Sequence, residues 1–155
     1  MYTPFGKKQR DNLLTLANLG DKMLDALRPV VEKVPNTVIE RTKSKGSGSD
    51  GKGYSAYTQK WAAKRSRKGL QASKKDFWFN GRMWGSYKIV KEEVTGTGVS
   101  FTLASDINDA HNGESLVDIH SRNESTNILE ITDDEWEKLQ NQMMAVLDKE
   151  FSKYL

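Results

Sequence analysis

The stretch 87–104 constrains this chain most. It reads YKIVKEEV, then TGTG, then VSFTLA. Val99, Phe101 and Leu103 alternate with Ser100, Thr102 and Ala104, and Tyr87, Ile89 and Val94 supply the apolar face of the run before them. Period-two alternation on both sides of a Thr-Gly-Thr-Gly turn signal predicts an antiparallel hairpin. One face of such a hairpin is apolar and has to be covered, because an isolated two-stranded ribbon is marginal in water. The cover is visible downstream. Thr132-Asp133-Asp134-Glu135 is a capping box, and Trp136, Leu139, Met143, Val146, Leu147, Phe151 and Tyr154 follow at helical spacing. The three acids suit the positive end of that helix and Lys153 its negative end. A second cover lies upstream over 11–34, where Leu13, Leu16, Ala17, Met23, Leu24, Leu27 and Val31 recur three and four apart behind an Asp11 N-cap. Gly20 and Pro29 make one bent helix or two short ones equally compatible with this spacing, and Pro35 predicts a stop near Val34.

The expected fold is therefore α+β: a small antiparallel β-sheet packed by N-terminal and C-terminal helices, in a single domain over 1–155. Composition agrees. Of 155 residues, 36% are hydrophobic, and four Trp, five Tyr and five Phe suffice for a small core. Cysteine is absent, which excludes disulfides, thiolate zinc sites and cysteine nucleophiles. No apolar run approaches the roughly 18 residues of a membrane span, and the N-terminus has no signal-peptide core, so neither membrane insertion nor secretion is expected.

Between the covering helices the pattern is less regular. TVIER at 37–41 is short and β-branched and reads as a strand. The twelve residues 42–53 contain four Gly, three Ser and no aliphatic or aromatic side chain; they read as a flexible Gly/Ser/Lys loop or arm outside the core. The segment 54–75 is basic and aromatic, with seven cations among residues 60–75, and Tyr57, Trp61 and Arg65 at helical spacing up to Gly69. Phe77, Trp78 and Phe79 precede an Asn80-Gly81 turn, with a helical turn expected over 81–86. The run 106–114 reads as a loop, 116–119 as a short strand, and 121–127 as polar connection.

The net charge of +3 conceals an asymmetry. Residues 1–90 carry 19 Lys+Arg against 7 Asp+Glu, or +12; residues 91–155 carry 5 against 14, or −9. Two surfaces of opposite sign can bind a polyanion or a second copy, unless the charges mix once the chain folds. Candidate contact residues are Lys43, Lys45, Lys52, Lys60, Lys64, Arg65, Arg67, Lys68, Lys74 and Lys75. Catalytic chemistry is hard to assemble. His111 and His120 are the only histidines and sit in polar, loop-like surroundings; Asp106, Asp109, His111 and Glu114 match no metal-ligand spacing, and no phosphate-binding glycine loop occurs. No catalytic, cofactor or metal residue is assigned. The remaining readings are a protein-binding surface, a non-sequence-specific nucleic-acid surface over 60–75, and a small hydrolase built on Asp109, His111 and Glu114.

Several short motifs occur in a telling order: Asp50-Gly-Lys-Gly-Tyr54, a Lys/Arg-rich stretch, Asn80-Gly81-Arg82-Met83-Trp-Gly-Ser86-Tyr, Ala110-His-Asn-Gly113, and Arg122 through Thr132-Asp-Asp-Glu135. This order resembles the virion-morphogenesis and tail-completion proteins of tailed bacteriophages, the Mu-like and HK97-like head–tail joining groups. Those proteins have a D-G-x-P-W loop, a basic segment, a T-G-R-L-x-x-S-I turn into a hairpin, a Tyr-Ala segment ending in Gly, and an R-x-F-L-x-x-S/T-x-x-E junction into the last helix. Here Asn80 replaces the Thr, Gly53-Tyr54 the Pro-Trp, and a polar insert, 123–127, the aromatic after Arg122. The resemblance spans about residues 10–150. It implies a structural, non-enzymatic virion protein with Asn80, Gly81, Arg82 and Ser86 at the family turn. It also implies a ring of six or twelve copies at the neck or tail, with portal, adaptor and tail proteins as partners. Non-specific contact with packaged DNA would follow, with assembly in the host cytoplasm, and no cofactor or membrane.

Overall fold

The computed structural model describes residues 18–78, 80–110 and 112–152. The expected Asp11 cap, the contributions of Leu13, Leu16, Ala17 and Phe79, and the parts assigned to His111, Lys153 and Tyr154 lie outside the described residues. Eight elements follow in order: α1 (Leu19–Val31), α2 (Val34–Lys45), α3 (Gln59–Arg67), α4 (Arg82–Gly85), β1 (Lys88–Thr95), β2 (Gly98–Ala104), α5 (Leu116–Glu124) and α6 (Asp133–Phe151).

The hairpin forms as the alternation predicts. β1 and β2 pair antiparallel from Lys88 against Ala104 to Thr95 against Gly98, and they make a two-stranded sheet. One irregularity explains a puzzle in the pattern. Strict alternation after Ile89 would turn Val94 away from the covered face. The register slips between Ile89 and Lys91, leaving Val90 as an extra, exposed residue. This β-bulge puts Glu92 and Val94 opposite Phe101 and Val99, on the same side as Ile89 and Leu103. α1 lies against that face and also against α6. The approach is close at one end: a Cβ on Gly20 would stand 2.3 Å from Val94 Cγ1, so any side chain there would have to displace Val94. Arg28 of α1 grips Glu92 with both Nε (2.8 Å) and Nη2 (2.7 Å).

The C-terminal helix is as well specified as its capping box suggests. Thr132 Oγ1 accepts from Glu135 N at 3.1 Å, and Glu135 accepts from Thr132 N at 2.9 Å. Its apolar stripe is only half covered, with Trp136 44% exposed.

Four expectations need correction. Pro35 does not stop the first helix; it sits in the first turn of a second one, α2, where its missing N–H costs nothing. Consequently 37–41 is helical rather than a strand, and Val38 from it is fully buried. The segment 42–53 is not a loop apart from the core. Its first four residues are the last turn of α2, with Thr42 fully buried; the rest closes into a turn, Ser47 bridging Gly53 and Tyr54 N donating to Gly46 O at 2.7 Å. Finally, 116–119 is the start of α5, which consumes most of the polar run after it; Ser115 caps it by accepting from Asp118 N. His120 is therefore on a helix and half-buried, with its ring 4.7 Å from that of Phe77.

The core joins α2 to the hairpin's approach. Val34 and Val38 meet Met83, Trp84, Tyr87 and Ile128. Tyr87 donates to Leu129 O at 3.0 Å, and burial pushes its hydroxyl pKa up to about 12.

Candidate functional site

The basic segment is shaped by an ion pair that its composition did not announce. α3 begins at Thr58, whose side chain caps Trp61 N, and ends in a Schellman turn: Leu70 N donates to Arg65 O at 3.1 Å and Gly69 N to Ser66 O at 3.0 Å. Arg65 points inward from this helix and is 1% exposed. Its Nη2 donates to both carboxylate oxygens of Asp76, at 2.8 and 3.0 Å. Nε donates to Gln71 O at 2.7 Å and Nη1 to Trp78 O at 2.6 Å. The Tyr57 ring lies 4.5 Å below the guanidinium, and its hydroxyl donates to Asp76 Oδ1 at 3.0 Å. Burial is the main reason the Tyr57 hydroxyl titrates above its ordinary value. Arg65 thus corrects the sequence reading: it is a fully coordinated internal residue, not a contact residue. Asp76, which holds it, went unnoticed. The available signal was a lone acid, KKDFW, between cations and aromatics eleven residues after Arg65.

The other cations differ in exposure. Lys43 stands 3.9 Å from the Trp78 ring centroid; Lys74 donates to Ser44 O; Lys52 pairs with Asp50 at 3.3 Å. Lys75 pairs with Glu124 and donates to Ser55 Oγ at 2.6 Å. Glu124 also accepts from Ser55 N at 2.7 Å. Burial pushes the Glu124 carboxyl up, but the bonds from Lys75 and Ser55 outweigh it and hold the group below its ordinary value. Beside it His120 is held below its ordinary value, first by burial and then by Lys75. Lys45, Lys60, Lys64, Arg67 and Lys68 are exposed. The last four and Trp61, 36% exposed, share the outer side of α3, with Lys64 4.6 Å from the Trp61 ring centroid.

The charge asymmetry is partly cancelled where the halves meet. Arg28–Glu92, Arg41–Glu135 and Lys75–Glu124 each pair a cation before residue 90 with an acid after it. Arg41, 6% exposed, also donates to Glu130 O at 2.7 Å. Exposed charge remains on several elements, among them the outer side of α3 and the acidic residues Asp133, Asp134, Glu137 and Asp148 of α6.

The turn that carries the family resemblance is structural. Asn80 Oδ1 accepts from Arg82 N at 3.2 Å, and Gly81 has φ +75°. A Cβ there would approach Trp78 Cζ2 to 2.9 Å, so both backbone and space require glycine. The turn launches α4, whose Met83 and Trp84 are buried; Arg82 is exposed. Ser86 Oγ donates to Met83 O at 3.0 Å and lies 2.6 Å from Ser105 Oγ, which ties the turn to the end of β2. Trp84 Nε1 donates to Asp76 O at 2.9 Å. Phe77, between them, has φ +52°, a strained value for a bulky residue, and is wedged between Tyr54 (4.8 Å) and His120.

The acidic loop is tied to the start of α5, Leu116 N donating to Ile107 O at 3.0 Å. Asp109 Oδ1 accepts from Asn112 N at 3.3 Å, and Glu114 pairs with Arg122 at 3.3 Å. Among the described residues no group of three or more His, Asp or Glu could hold a metal ion, and no helix is long and apolar enough to cross a membrane. Compared with protein-family models, curated proteins and solved structures, the chain matches none.

Proposed function

We propose that this chain is a structural subunit of a tailed-phage particle that forms a ring at the head–tail junction, as neck, tail-completion or tail-terminator protein. The observation that carries this reading is the position of the Asn80–Ser86 turn. The residues that resemble the phage proteins are the ones on which Met83 and Trp84 enter the core and from which the hairpin departs. A motif that builds the fold is what a shared structural family would retain. Two further features suit assembly. The two-stranded sheet leaves one edge of each strand without a neighbouring strand among the described residues, and unlike charges occupy α3 and α6. Its partners would be further copies, a portal or adaptor ring and tail proteins.

The test is placement and copy number. Full-length protein should form rings of six or twelve copies by light scattering and negative-stain microscopy, alone or on adding portal or tail rings. Labelled antibody should mark the neck of intact particles. Its absence from purified particles would end this reading. A second reading, non-sequence-specific nucleic-acid binding, rests on the exposed Lys60, Lys64, Arg67 and Lys68 beside Trp61. It requires a monomer whose DNA affinity falls steeply with salt.

A further inference from the structure

A groove of about 390 Å³ lies between α1, β2 and α6. Leu27 and Val31 of α1, Phe101 of β2, and Trp136, Leu139 and Met143 of α6 line it. Glu130 is the one charged side chain among the described lining residues. Trp136 is 44% exposed, so much of its indole faces solvent. Covering such apolar surface is favourable. A groove of this kind takes an amphipathic helix through apolar residues at positions i, i+3 and i+4.

The chain carries such a stripe outside the described residues. Leu13, Leu16 and Ala17 fall at i, i+3 and i+4, with Leu14 beside them. Lys7, Lys8 and Arg10 precede the stripe, against a single acid, Asp11. The groove has the complementary sign. Exposed Asp133, Asp134 and Glu137 stand in the first two turns of α6 with one exposed cation, Lys138, and Glu130 lies just before them. The place where α1 begins decides whose groove is filled. Leu19 starts α1 at the hairpin tip, where Gly20 meets Val94. Leu27 and Val31 lie about 12 and about 18 Å further along the helix. Ala17 is two residues from Leu19. To enter the groove of its own copy, the stripe would have to double back along α1 within those two residues. A second copy imposes no such reversal.

We infer that the Leu13–Leu16–Ala17 stripe of one copy docks in the α1–β2–α6 groove of a second copy. The inference rests on the proposed ring reading and identifies its contact. Each copy offers one stripe and one groove. The contact is therefore heterologous: it repeats from copy to copy and closes when the rotation permits. Trp136, Leu139 and Met143 supply its apolar centre, with Lys7, Lys8 and Arg10 opposite the acids of α6 at its rim. The rim charges fix the orientation of docking, and the aromatic anchor supplies most of its strength.

The experiment breaks each half of the contact in full-length protein. One variant carries Leu13→Asp and Leu16→Asp; the other carries Trp136→Glu. Sedimentation velocity reads self-association, and circular dichroism melts read the fold. Each variant alone should lose self-association by about thirtyfold or more, because an apolar anchor gives way to a charge without a partner. An equimolar mixture at wild-type assembly concentrations should stop at dimers. The first variant keeps its groove and the second its stripe, and the joined pair offers no further intact contact. If Trp136→Glu melts early, Trp136→Gln replaces it with the same expected order. If wild type assembles and both variants assemble equally well, or the mixture forms no dimer, the contact is wrong while the ring reading stands. If the stripe variant melts well below wild type at a concentration where both are monomeric, the stripe covers its own copy and the inference is overturned. If wild type stays monomeric even with portal or tail rings, both fall.

Discussion

Two adjoining regions of this molecule are held together by opposite means. The centre, where Val34 and Val38 meet Met83, Trp84, Tyr87 and Ile128, is apolar and packed. The clasp over 57–78 encloses a guanidinium and a carboxylate, Arg65 and Asp76, with Tyr57 and two main-chain carbonyls completing the shell. The centre gains from burial that is non-directional; the clasp gains little net from its ion pair, but tolerates no missing member. Asp76 joins them. Its carboxylate serves the clasp and its carbonyl receives the Trp84 indole. The lesson is that the basic segment owes its shape to a charge hidden within it, while the cations on its outer side are exposed.

The sharpest way to break this comparison is Asp76→Ala. It leaves a buried guanidinium without its carboxylate and should cost about 3–5 kcal/mol in urea unfolding. Hydrogen exchange should show the loss in α3 first. Replacing both members, Arg65→Met with Asp76→Leu, should recover most of that loss, because a matched apolar pair removes both desolvated charges. A double variant as unstable as Asp76→Ala would mean that the clasp depends on its directional bonds. Trp84→Ala should cost about 3–5 kcal/mol as well, but by a cavity, and should lower protection in α2 and the hairpin rather than in α3.

Gly81→Ala should cost about 1–2 kcal/mol from its left-handed backbone alone, with more from crowding against Trp78. Thermal unfolding would reveal it, and an unchanged melting temperature would contradict the turn geometry. Thr132→Ala removes the cap of α6 and should cost about 1 kcal/mol.

The smallest effect is a pH dependence to which two residues of α5 contribute. His120 titrates below its ordinary value, so the folded state resists its protonation, and stability falls as pH drops below about 6.5. Glu124 is depressed as well; its contribution is intact above the ordinary carboxylate range and disappears as pH falls through its folded value. His120→Phe should flatten the upper part of this fall and leave the lower part. A wild-type melting temperature that rises from pH 7 to 5.5 would contradict the sign.

The hairpin and α6 were legible because their signals are local: alternation around a Gly-containing turn, and a capping box before a stripe. α2 and α5 were not. TVIER and the LVDI of α5 are short β-branched or aliphatic runs whose periodicity is too brief to separate strand from helix. The helix-start signals were Pro35, just before TVIER, and Ser115, just before LVDI, with Asp118 inside that run. The site was legible as composition and not as direction. Arg65 and Lys64 are neighbours in sequence, yet one helical step sends the first to the interior and leaves the second in solvent. Only Asp76, through a return of the chain, decides which is which.

Arg41 has a consequence for the protein's birth. The acceptors of its guanidinium, Glu130 O and the Glu135 carboxylate, are translated 89 and 94 residues after it. Until the ribosome has released that stretch, α2 emerges with a cation it cannot bury, and the early, strongly basic portion offers only 7 acids against 19 cations. A nascent chain arrested before residue 130 should stay open to protease, and the structure should close only as its last helix leaves the exit tunnel.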